Sequence, residues 1–147
     1  MESNKKENIF EKCLFFNANS LARSLASIAD ESFSSMQITP TQGFTLLCVS
    51  EMDVHSPSEI ARELNMKPST ITRFIEKLVE LQYLESRKEG RNVYVNLTPL
   101  GRSKIVEIKV SWSKIYKGML RVISEKEIAD LTNNISEINH KFMQSVN

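Results

Sequence analysis

Ser56-Pro57-Ser58-Glu59 and Pro68-Ser69-Thr70 stand so close together that the chain between them has room for one short helix and a tight turn. Ser56 can cap the unpaired N–H groups of a helix whose first residue is Pro57, and Glu59, three residues after the cap, completes a capping box. Ile60, Ala61 and Leu64 form the inner face of that helix. Pro68 opens the next one, with Ile71, Phe74, Ile75, Leu78 and Leu81 as its buried stripe. Ala61 is small enough to let the two helices cross closely. Two short helices with so brief a connection describe a helix-turn-helix.

The residues that follow narrow the fold further. Val93, Val95 and Leu97 alternate with Tyr94 and Asn96, the period of two that marks a half-buried strand. Upstream, Tyr83-Leu84 runs into Glu85-Ser86-Arg87-Lys88, and Gly90 supplies the positive φ that a hairpin turn needs. The pattern predicts a β-hairpin with Arg87, Lys88 and Arg91 around its tip, so that helix-turn-helix plus basic hairpin make a winged helix. Glu89 is expected to hold Arg91 rather than to meet a ligand.

Helical segments flank this unit on both sides. From Ile9 to Phe33, Phe10, Leu14, Leu21, Leu25 and Ile28 recur at helical spacing without an intervening Gly or Pro. Thr39-Pro40 predicts another helix start, followed by the dense apolar run Phe44, Leu46, Leu47 and Val49. Ile105, Ile108, Trp112, Ile115, Met119 and Val122 step by three and four. After a start at Ser124 (with Glu127 three residues on), so do Ile128, Leu131, Ile135, Ile138 and Phe142. The terminal helices carry more apolar face than a winged helix can cover, and a second copy of the chain is the simplest cover. The expected architecture is mainly α with a small β-hairpin wing: a winged helix-turn-helix core over residues 38–101, with dimerisation helices at 8–34 and 102–146, in one domain of 147 residues.

Composition bounds what such a chain can do. Lys and Arg number 19 against 18 Asp and Glu, so binding of nucleic acid by bulk charge is excluded. The charge is unevenly placed: from Lys67 to Lys104 there are eight basic and four acidic side chains. No apolar stretch is long enough for a membrane span, and residues 1–10 show no secretory signal, so a cytoplasmic protein is expected. Cys13 and Cys48 make no metal or disulfide pattern and are expected as free, buried thiols. His55, expected in a loop, and His140, expected on an exposed helix face, are too far apart for a metal cluster. There is also no phosphate-binding glycine loop and no nucleophile elbow. Neither an enzyme nor a cofactor is expected.

Several stretches together resemble the MarR family of transcriptional regulators. They are Ser58-Glu59-Ile60-Ala61-Arg62-Glu63-Leu64; Pro68-Ser69-Thr70-Ile71-Thr72-Arg73-Phe74-Ile75-Glu76-Lys77-Leu78; Leu84 and Arg87; and Glu89-Gly90-Arg91 through Leu97-Thr98-Pro99-Leu100-Gly101. The order of elements agrees from about Leu14 to Phe142. The resemblance implies a homodimer that binds double-stranded DNA at a pseudo-palindromic operator, generally as a repressor, with one recognition helix in each of two major grooves and each wing at a minor groove. Carried over by position, the implied DNA contacts are Lys67, Ser69, Thr70, Thr72 and Arg73 on the recognition helix and Arg87, Lys88 and Arg91 on the wing. Arg73 is the candidate for bidentate reading of a guanine, and Arg91 for a narrow minor groove.

This sequence departs from the family pattern in three places. Lys67 stands where Ser or Thr usually caps the recognition helix, Gln82 replaces the common Gly before the strand, and the wing is shorter by two or three residues. The resemblance also implies a small aromatic effector in a cleft that Phe15, Phe16, Phe44 and Trp112 could line. A peroxide-sensing cysteine would have to be Cys13, which falls one turn too early and lacks a tyrosine partner. The competing reading is a dimeric adaptor whose winged helix binds protein instead of DNA.

Overall fold

All four prolines of the chain stand at the first position of a helix, where a missing N–H costs no hydrogen bond. In the computed structural model, which describes residues 8–146, the order is α1 Leu14–Phe33, α2 Pro40–Glu51, α3 Pro57–Glu63, α4 Pro68–Glu80, β1 Leu84–Glu89, β2 Asn92–Leu97, α5 Pro99–Met119 and α6 Glu125–Ser145. The predicted class, mainly α with a two-stranded antiparallel wing, is the observed one. Helix α1 starts five residues later than the apolar pattern from Ile9 suggests.

The predicted helix starts are visible as hydrogen bonds. The Glu59 N–H donates to Ser56 Oγ at 3.3 Å, and the Ser56 N–H donates to Glu59 Oε2 at 3.1 Å. Thr39 with Gln42 and Ser124 with Glu127 close the same reciprocal box. Each box satisfies two N–H groups that the helix cannot, which is why these termini are legible locally.

The core gathers where α2, α3, α4, α5 and the base of the wing meet. Leu46, Ile60, Ile71, Leu78, Leu84, Val95 and Ile108 are fully buried there. The inner face of α4, Ile71, Ile75 and Leu78, contributes roughly 1.5–3 kcal/mol per side chain by the usual area scale. Helix α5 is seated by Thr98, whose hydroxyl donates to the Gln82 carbonyl at 2.6 Å and accepts the Gly101 N–H at 2.9 Å. Gly101 packs directly beneath the Tyr83 carbonyl, so the Leu-Thr-x-x-Gly run is a cap plus a close backbone approach.

The two C-terminal seams part company. In α5, Ile105, Ile108 and Ile115 are buried against α1 and α2 of the same chain, so that seam needs no second copy. In α6 no residue is buried, and Leu131, Ile135, Ile138 and Phe142 face outward. Leu14 and Phe15 at the start of α1 are exposed beside them, and the two helices line one apolar groove. The surplus apolar surface expected from both seams and α1 is therefore concentrated in α6 and the first half of α1.

Candidate nucleic-acid interface

Helix α4 presents two chemically distinct faces. Ile71, Ile75 and Leu78 point into the core, which turns Ser69, Thr72, Arg73 and Glu76 to the outside at spacings of three and four. Thr70 is half-buried on the flank and belongs less to that outer face than its neighbours do. Lys67 occupies the N-cap position and offers no side-chain bond to the first turn; the Thr70 and Ile71 N–H groups donate to its carbonyl and Pro68 has none, so the Ser69 N–H keeps its capacity for an anionic oxygen.

The hydroxyl of Thr72 is already committed. It donates to the Pro68 carbonyl at 3.0 Å, leaving Oγ1 with lone pairs only. In that rotamer it suits an amino donor on a base edge rather than a phosphate oxygen. Glu76, one turn beyond Thr72 on the same face, was not among the expected site residues. Its position in the stripe, seven after Ser69, was the available signal. An acidic group there penalises close approach of a phosphate and favours the amino group of cytosine.

The wing stands away from the body: after buried Leu84, every residue of β1 is exposed. Its register pairs Arg87 with Tyr94, Lys88 with Val93 and Glu89 with Asn92, leaving Gly90-Arg91 as a two-residue loop. Gly90 has φ 61, and Arg91 is outside the positive-φ region, the backbone pattern of a II′ hairpin turn. The tight loop accounts for the shortness of the wing.

One expected contact is corrected. Glu89 pairs with Arg87, Oε1 to Nη2 at 2.8 Å, and not with Arg91. Residues two apart on a strand share a face, whereas Arg91 lies in the turn itself. Among the described residues Lys67, Arg73, Lys88 and Arg91 form no ion pair, so four of the five expected basic contacts are uncommitted.

The remaining expected features fall in different places. Cys48 is buried, and burial followed by the charge of Glu63 pushes its thiol pKa up. Cys13 is free but exposed, contrary to expectation, because it is the N-cap of α1 and nothing among the described residues covers that end. Phe44 stacks on Trp112 with ring centroids 4.3 Å apart in a cleft of about 470 Å³ between α1, α2 and α5. The indole N–H of Trp112 is buried without a hydrogen-bond partner. Phe15 lies instead in the α1–α6 groove, and Phe16 stacks on Phe10. Among the described residues no helix is long and apolar enough to cross a membrane, and no three His, Cys, Asp or Glu side chains gather as metal ligands would.

Residues 38–92, the helix-turn-helix and the first part of the wing, match the model of the MarR family. A sequence search of curated proteins finds no match. Among solved structures, the chain is similar to a probable transcriptional regulator from Pseudomonas aeruginosa, with TM-score 0.79 and 20% identity over 88% of this chain and 98% of that one. It is similar to MepR of S. aureus in a complex with DNA, with TM-score 0.75 and 16% identity over 88% and 97%. It is also similar to BpsR of Bordetella bronchiseptica, whose DNA binding is regulated by 6-hydroxynicotinic acid, with TM-score 0.78 and 17% identity over 88% and 95%. At these identities the likeness establishes a shared fold.

Proposed function

We propose that this chain, whose residues 38–92 match the MarR family model, is a transcriptional regulator that binds double-stranded DNA sequence-specifically. The observation that carries the reading is the outer face of α4. Ser69, Thr72 and Arg73 stand there clear of the core, on a helix whose N-terminal N–H groups no side chain caps. A helix presented in this way fits a major groove, with Lys67 and the N–H and hydroxyl of Ser69 toward phosphate and Arg73 and Thr72 toward base edges. Thr70 contributes from the flank. Arg87, Lys88 and Arg91 on the wing meet the adjacent backbone and minor groove.

The active form in this reading is a homodimer, and the regulator a repressor acting at a pseudo-palindromic operator. The uncovered stripe of α6 and the exposed start of α1 support the dimer, since a contiguous apolar face of this kind is rarely left in water. The cleft holding Phe44 and Trp112 suits a small aromatic effector, because its lining is largely apolar and includes two aromatic rings.

Selection of random double-stranded DNA on the purified protein tests the reading. Enrichment of a pseudo-palindrome whose half-sites lie about one helical turn apart supports it. Retention that is independent of sequence, or none, overturns it and favours an adaptor that binds protein.

A further inference from the structure

The loop between α2 and α3 is fastened to the wing by a reciprocal pair of hydrogen bonds. The Val95 N–H donates to the His55 carbonyl at 2.7 Å, and His55 Nδ1 lies 2.9 Å from the Val95 carbonyl. A ring nitrogen thus takes the place that a second backbone N–H has in an antiparallel pair. The other ring nitrogen, Nε2, lies 2.8 Å from Oδ1 of Asp53, a residue held at φ 54. A backbone carbonyl only accepts hydrogen bonds, and so does an ionised carboxylate. Both contacts are hydrogen bonds at once only when each ring nitrogen carries a proton, which makes His55 an imidazolium.

We propose that His55 is a pH-reading positioning residue for DNA binding: its doubly protonated ring donates to Val95 of β2 and to Asp53 of the α2–α3 loop at once, and loss of one proton gives up one of these two ring bonds and loosens the clasp. This rests on the regulator reading above, because its consequence is the hold of the wing on DNA. The charged and titratable groups around the ring are Asp53 of its own loop, Glu59 of α3, Arg87 of β1 and Tyr94 of β2, with Asn96 completing the cleft. Asp53 and Glu59 favour the charged ring, and Arg87, which opposes it, is itself paired with Glu89.

The Asp53 hydrogen bond, then that to the Val95 carbonyl, hold the His55 pKa above its ordinary value, against a smaller effect of burial. Both ring bonds are therefore present below about pH 6.5, the value in the unfolded chain, and one of them is lost as pH rises through the raised folded value, while the Val95 N–H to His55 carbonyl bond stays. A DNA-bound wing that must keep its place retains the proton longer, so affinity falls across the same range.

The experiment follows the histidine Cε1–H resonances of the full chain against pH and, in parallel, the anisotropy of a fluorescein-labelled mixed-sequence duplex at low salt. His140, the other histidine, is identified by His140→Gln. The expected His55 midpoint lies above that of His140 and moves down in Asp53→Asn, a change at a fully exposed side chain that leaves the fold intact. Affinity is expected to fall roughly three- to tenfold from about pH 6 to about pH 8.5 in the parent and in His140→Gln, and by less than about twofold in His55→Gln. A His55 midpoint at or below about 6.5 overturns the proposal. So does pH-invariant binding by the parent, or full pH dependence in His55→Gln. Absence of binding at every pH overturns the regulator reading and the link to DNA with it, while the midpoint, read without DNA, still judges the clasp.

Discussion

Arg87 and Glu89 share one face of β1 and form an ion pair at 2.8 Å, while Arg91, two residues further on, stands at the hairpin turn without a carboxylate partner among the described residues. Both members of the pair are more than half exposed, so it adds little to stability. In the proposed DNA complex its weight falls on binding, because Glu89 would compete with phosphate for Arg87. Glu89→Gln is expected to strengthen DNA binding at low salt with an unchanged melting temperature. Arg91→Ala is expected to weaken it and to reduce the slope of log K against log salt by about 0.9 if one phosphate contact is lost. Titrations at several salt concentrations check both, and equal slopes for Arg91→Ala and the parent would remove Arg91 from the interface.

Gly101→Ala should be among the most damaging small substitutions in the chain. A Cβ at this position overlaps the Tyr83 carbonyl oxygen and comes within 2.9 Å of Leu97 Cδ2, and a backbone carbonyl cannot swing aside as a side-chain tip would. A loss of about 2–3 kcal/mol or more is expected in urea unfolding. An unaffected midpoint would show that α5 can shift against the base of the wing.

Gln82→Gly is expected to act in the opposite sense. Gln82 holds φ 60, a left-handed conformation that costs a residue with a Cβ about 1–2 kcal/mol, while glycine adopts it without strain. Glycine gives back part of that gain through the greater freedom of the unfolded chain. The net expectation is a stabilisation of about 0.5–1 kcal/mol by the same unfolding measurement. A lower midpoint would contradict it.

Ile135→Asp and Phe142→Asp test the dimer. Neither side chain is buried within the chain, so their replacement should leave the helical circular dichroism spectrum unchanged. Sedimentation is expected to show the parent at twice the monomer mass and the variants at the monomer mass, with DNA affinity reduced along with dimerisation. A parent that sediments as a monomer at micromolar concentration would rule out the homodimer.

The aromatic cleft offers a direct optical test. Trp112 is the chain's one tryptophan, and it lies against Phe44 within the cleft. A small aromatic acid that binds there should quench Trp112 fluorescence and release DNA over the same concentration range. Release without quenching would place the effector elsewhere.

What was legible in the sequence is what depends on near neighbours in the chain. The capping boxes at Ser56 and Ser124, the prolines at helix starts and the turn at Gly90 involve groups at most three residues apart, and each formed where residue type and spacing required. The inward stripe of α4, and with it the outward placement of Ser69, Thr72 and Arg73, follows from helical periodicity alone. Only the tertiary structure decided the rest. Ile105, Ile108 and Ile115 share the periodicity of the α6 seam, yet α1 and α2 cover the first set and nothing among the described residues buries the second, because coverage depends on where distant helices pack. Glu89 took Arg87 rather than Arg91 because the pleat and the turn set which charges share a face. His55 reached Val95, forty residues away in the chain, through contacts that local sequence pattern does not encode.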